Sequence, residues 1–262
     1  MRLDELRRLY DGYVDTYREA GGALPSMMQL KRAHTGFVVK NATLIADGEG
    51  FDPLTREVAL SAALLHDTGR YEQLKRFNTF KDSDSVDHAV FSHDIVKEKG
   101  WLAMVGSPRS DAILAAILYH NRRDLPEGLD AVTLSASHTV RDADKLDIFR
   151  VLQDQIANTD WRSDSRAFWN LSPTLSPNPV VVECIENRQP VDYQNIKSLS
   201  DFVMIQVGWM VSGLHYATAR RLCAERGHLE YRRRFLHELT DDPSIDRVCD
   251  LAAEELSKTQ EG

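Results

Sequence analysis

An all-α fold is expected from three properties of this 262-residue sequence. Its fourteen glycines and nine prolines fall clearly under the roughly 12% that these two breakers usually make up. Long stretches run without either residue. Apolar residues also recur at three- and four-residue intervals through most of the chain. The length suffices for one sizeable core, so a single domain with elaborations is expected over residues 1–262.

The elements follow in order from local signals. Leu3, Leu6, Tyr10, Tyr13 or Val14, and Tyr17 mark a first amphipathic helix. A second should run from about Pro25 to Ala46, with Met27, Leu30, Phe37 or Val38, and Ile45 on one stripe, until Asp47-Gly48-Glu49-Gly50 breaks it. Asp52-Pro53 is a cap and first-turn pair. The helix it opens, Leu54 to about His66, is apolar on nearly every side and should lie centrally in the core. Gly69 is expected to stop it, and residues 71–85 read as a polar connection. Helices are expected near 86–99, 107–121 and 138–157. Pro173, Pro177 and Pro179 make 170–179 a loop or linker, after which about four more helices reach the C-terminus.

Charge narrows the partners. The formal net charge is −8 and the pI is near 5.6, which argues against extended nucleic acid and leaves room for a small anion at one local site. Eight acids against Arg247 and Lys258 between Glu238 and Gly262 carry most of that excess. The densest apolar run, Phe202–Leu214 with Gln206 inside it, is shorter than the roughly 20 residues that span a bilayer, so no membrane partner is expected. The N-terminus lacks a secretory apolar region. Cys184, Cys223 and Cys249 are odd in number and form no CxxC pair. Reduced thiols in a cytoplasm are the plain reading, and Asn41-Ala42-Thr43 is then a chance glycosylation match. Dimerisation is left open, with a homodimer compatible with the sequence.

Nine histidines are present, and helical position sorts them. His34 falls on the stripe Met27, Leu30, His34, Val38, Asn41, Ile45. His66 and Asp67 end the most apolar helix, where a buried acid needs a compensating partner. His88 shares a face with Phe91, Ser92 and Ile95, whereas His93 lies about 140° away with Ala89 and Lys97. His120 continues Ile113 and Ile117. Asp144 aligns with Ile148 and Val151, Asp142 with Leu146 and Phe149, so periodicity does not choose between them. His138, His215, His228 and His237 read as surface or packing residues. Four inward histidines and two or three inward acids on different core helices suit a pair of divalent cations. Imidazole plus carboxylate without thiolate favours iron or manganese, with nickel, zinc and magnesium as further candidates.

The order His34, His66-Asp67, His88, His120, Asp144 resembles the HD superfamily of metal-dependent phosphohydrolases over about residues 25–157, leaving 158–262 as a helical elaboration. Leu64-Leu65-His66-Asp67-Thr68-Gly69-Arg70 is similar to its central motif and Ala143-Asp144-Lys145-Leu146-Asp147 to its final one, which selects Asp144. The resemblance implies that His34, His66, Asp67 and Asp144 form the basic metal site, that His88 and His120 add the ligands of two-metal members, and that Asp67 bridges. Tyr119-His120-Asn121 and Leu125-Pro126-Glu127-Gly128 also look like the family, without the Gly-Tyr-Pro signature of its cyclic-di-GMP branch.

The activity so implied is hydrolysis of a small phosphate mono- or diester, with a nucleotide as the first guess. Two cations would acidify a bound water and neutralise phosphoryl charge. Arg70 stands where a related branch carries a phosphate-facing lysine and is the first candidate for an anion clamp. Lys75, Arg76, Arg122, Arg123 and Lys145 are further candidates. Two alternatives are a diiron oxygenase using the same six ligands and a non-catalytic regulatory module; intact ligands argue against the second.

Overall fold

The computed structural model describes residues 3–160, 162, 171–172 and 175–258, and these contain twelve α-helices and no β-strand. Where one domain over 1–262 is expected, the packing separates two compact units, Met1–Asp147 and Ile148–Gly262. The boundary falls inside one long helix.

The first unit comprises α1 (Leu3–Asp15), α2 (Ser26–Gly48), α3 (Pro53–Leu65), α4 (Gly69–Phe77), α5 (His88–Glu98), α6 (Arg109–Tyr119) and the first part of α7 (Ala131–Asn158). Helix α3 is its centre. Asp52 caps it by accepting from the Leu54 and Thr55 amides at 2.8 and 3.2 Å, an arrangement worth about 1 kcal/mol. Val58 to Leu65 is buried on every side, and α1, α2 and α6 pack around it. Each Leu or Val so enclosed contributes roughly 1.5–3 kcal/mol.

Four local expectations are corrected. On α2, Met27, Leu30 and Phe37 are exposed, and the inward face is Met28, His34, Thr35, Val38, Asn41, Ala42 and Ile45. The stripe holds at His34, Val38, Asn41 and Ile45 and fails at Met27 and Leu30, and of Phe37 and Val38 only Val38 is inward; Asn41 donates to the Ala143 carbonyl at 3.1 Å. Residues 71–85 are not a plain connection, since α4 covers Gly69–Phe77. Its pattern is weak because buried Gln73 faces a polar interior, donating to Asp82, Ser85 and the Val86 carbonyl. Gly69 opens α4 rather than simply stopping α3. A Cβ there would stand 2.7 Å from the Ser92 backbone nitrogen, so the glycine permits α4 and α5 to touch. The helix expected from 138 begins earlier, at Ala131.

The second unit holds the rest of α7, α8 (Pro179–Glu186), α9 (Leu199–Ser212), α10 (Ala217–Glu225), α11 (His228–Leu239) and α12 (Ser244–Ser257), so among the described residues five α-helices follow α7 where about four are expected. The expected linker over 170–179 lies partly outside the described residues; at its end Pro179 opens α8. Helix α9, drawn from the densest apolar run, is buried on most sides beneath α8, α11 and α12. Ser198 and Asp201 close its start as a reciprocal capping box. Cys184, Cys223 and Cys249 are free thiols. Among the described residues no helix is long and apolar enough to cross a membrane.

Candidate metal centre

Five segments of the first unit deliver the expected ligands. Helix α2 carries His34; the turn between α3 and α4 carries His66 and Asp67; His88 is the first residue of α5; His120 follows the last turn of α6; Asp144 lies in α7. His34, His66, Asp67, His88 and His120 are all buried, and the Asp144 side chain is 18% exposed.

Each imidazole is fixed through its Nδ1. His34 Nδ1 meets Asp147 at 2.6 Å and His88 Nδ1 meets Asp82 at 2.5 Å. His66 and His120 use the Ala63 and Ile117 carbonyls at 2.8 and 2.7 Å. A carbonyl can only accept, so these nitrogens carry the proton and the Nε2 lone pairs face the common centre. Metal-binding histidines are oriented this way.

The inward atoms form two lobes about Asp67. Asp67 Oδ2 lies 3.6 Å from both His34 and His66 Nε2, and Asp144 Oδ1 stands 3.0 and 3.8 Å from the same nitrogens. Asp67 Oδ1 lies 3.8 and 4.0 Å from His88 and His120 Nε2. His34 and His66 Nε2 are buried without a hydrogen-bond partner. His88 and His120 Nε2 approach to 3.0 Å, so with both protons on Nδ1 two lone pairs face each other. Divalent ions fit this donor set, because a cation removes both penalties. His34, His66 and Asp144 form one group with mutually close ligand atoms, and His66, Asp67 and His120 another.

The electrostatics agree. Burial opposes charge on Asp67, yet Lys31, His66, Arg70 and His88 hold its carboxyl well below the ordinary range. Burial likewise opposes charge on Asp144, yet the close His34 and His66 rings together hold its carboxyl below the ordinary range. Burial, aided by the neighbouring His88 and His66, pushes His120 down to about 3, and burial lowers His66. For His34, burial and Lys31 oppose protonation, but Asp144 and Asp147 overcome them and raise its pKa.

The candidate anion ligands separate by position. Arg70 is at the centre: its NH1 donates to the Phe80 carbonyl, Gln73 and Asp82 at 2.6–2.9 Å, and its Nε is buried 3.5 Å from Asp67 Oδ1. Lys145 donates to the Arg141 carbonyl, and burial pushes its pKa to about 8. Lys75 rests against Tyr17, Arg76 pairs with Glu72, Arg122 with Asp87 and Arg123 with Asp124. These four are on exposed parts of the surface. His93 bonds its neighbour Asp94.

Three further residues escaped the sequence reading. Lys31 Nζ donates to Asp67 Oδ2 at 2.6 Å, and its spacing of three before His34 was the available signal. Asp147, three after Asp144, sits in a quoted motif and could have been found the same way. Asp82 lies in a short 3-10 turn with no periodic signal.

Residues 32–148 match the family model described as the HD domain, so this part of the chain is an HD domain, a kind of domain that binds divalent metals and mostly belongs to metal-dependent hydrolases. No curated protein and no solved structure matches the chain.

Proposed function

We propose that the protein is a two-metal phosphohydrolase acting on a small phosphate ester. The observation that carries this reading is the convergence of four imidazole Nε2 atoms on the two oxygens of Asp67, with Asp144 on one side. His34, His66, Asp67 and Asp144 would hold one ion, and Asp67, His88 and His120 the other. Bound divalent ions supply an acidified water and charge neutralisation at phosphoryl oxygens.

The chain's own residues do the positioning. Asp147 and Asp82 hold His34 and His88 in the required tautomer and angle. Asp82 also grips Arg70, so one carboxylate fixes both a ligand and a cation. Arg70 keeps a positive charge beside Asp67 that favours an incoming anion.

Metal analysis of purified protein, followed by a phosphoester panel with and without oxygen, tests the reading. Two equivalents of metal and oxygen-independent phosphate release are expected. Oxygen consumption without phosphate release would overturn it in favour of oxygenase chemistry.

A further inference from the structure

Each oxygen of Asp67 has its own cation. Lys31 Nζ stands 2.6 Å from Oδ2, and Arg70 Nε stands 3.5 Å from Oδ1. Both cations rest against the same ring, with Lys31 Nζ and the Arg70 guanidinium carbon 5.6 and 5.7 Å from the centre of Phe80. They are not equally tied. Arg70 is anchored through NH1 while its buried Nε has no hydrogen-bond partner. Lys31 shows one anionic contact, to a carboxylate that metal ligation would claim, and its side chain is 16% exposed.

Charge adds a second constraint. The side chains in direct contact with the ligand set include four carboxylates, Asp67, Asp144, Asp82 and Asp147, against Lys31 and Arg70. That leaves two negative charges. A pair of divalent ions converts this to two positive charges, and Lys31 then faces cations while its carboxylate partner is shared with them. A flexible four-carbon stem lets the ammonium turn toward another anion without moving α2. A phosphate monoester carries three unesterified oxygens, one more than a diester, so it can meet the ions and these two cations together.

We propose that Lys31 and Arg70 form a two-pronged seat for the anionic group of the substrate, and that this seat selects a doubly charged phosphate monoester over a diester. The inference rests on the phosphohydrolase reading for its substrate and on the geometry for its residues. Lys31 supplies the mobile prong and Arg70 the fixed one.

The test titrates inorganic phosphate into manganese-loaded wild type, Lys31→Met, Lys31→Gln and Lys31→Arg by calorimetry. Metal content and helical circular dichroism are measured on each, with turnover of one aryl monoester and one aryl diester. Lys31→Met and Lys31→Gln should bind phosphate at least about tenfold more weakly with metal content unchanged, and Lys31→Arg should recover most of the affinity. The monoester should lose more kcat/KM than the diester. Phosphate affinity within twofold of wild type in the folded neutral variants would overturn the seat, as would metal loss in step with phosphate loss. Lys31-dependent phosphate binding without any phosphoester turnover would keep the seat and sink the hydrolase reading. Turnover with phosphate binding indifferent to Lys31 would do the reverse.

Discussion

Both units bury charged and polar side chains, but they finish them differently. In the second unit Arg232, fully buried, lies over the Phe149 ring at 4.5 Å and spends its donors on the Phe149 and His228 carbonyls and on Gln206 Oε1 at 2.6–3.1 Å. In the first unit the outer nitrogens of His34, His66, His88 and His120 are satisfied and the inner ones are directed at Asp67, with Asp144 beside the first two. A guanidinium whose donors end on carbonyls and an amide is structural. Imidazoles whose lone pairs converge are built to receive a cation. Burial alone therefore does not mark a site; the direction of the leftover atoms does.

The sharpest way to break that contrast is Asp67→Ala, which removes the carboxylate shared by both lobes. Metal binding and hydrolysis should be abolished while the helical circular dichroism stays; full metal content would overturn the assignment. Acid should act on the same unit. His66 and His120 have folded pKa values below 6.5, His120 at about 3. Their contribution is therefore complete above about pH 6.5 and is lost as pH falls toward 3, reaching a few kcal/mol for metal-free protein. His34, whose pKa is raised, works in the opposite sense, its contribution present at low pH and fading above its folded value. Denaturant midpoints across that pH range would show the net loss.

Asp82→Asn should weaken one ion by about 10- to 100-fold and leave the other in place, read by metal titration. Equal weakening of both would show that Asp82 does not act through His88. In the second unit Arg232→Met should cost about 1–3 kcal/mol of stability by leaving buried carbonyls unpaired, with metal content unchanged. A loss of metal would mean that the two polar clusters are not functionally separate. His93→Ala should shift stability by no more than about 0.5 kcal/mol; a metal loss as large as that of His88→Ala would reverse the choice between these histidines.

Much of the fold was legible in local signals. The cap at Asp52, the all-round apolar α3 and the buried α9 need only residue type and period. The errors cluster where the core is polar. On α2 the stripe was right at His34, Val38, Asn41 and Ile45 but also took in Met27 and Leu30, which are exposed, and α4 hid because its inward Gln73 bonds a loop rather than packing on aliphatic neighbours. The ligand candidates His34, His66, Asp67, His88 and His120 were legible as inward positions at helix ends or stripes, while Asp144 needed the family motif to separate it from Asp142.

What residue order determined by itself was helical period, capping and the set of side chains that burial would bring inward, because each depends on spacing within one element. Tertiary structure alone decided which nitrogen of each imidazole is engaged, that the Asp67 oxygens face separate histidine pairs, and that Lys31, Arg70 and Asp82 meet there. Those contacts join α2, the turn after α3, the loop before α5 and α7, and no period within one segment encodes a distance to another.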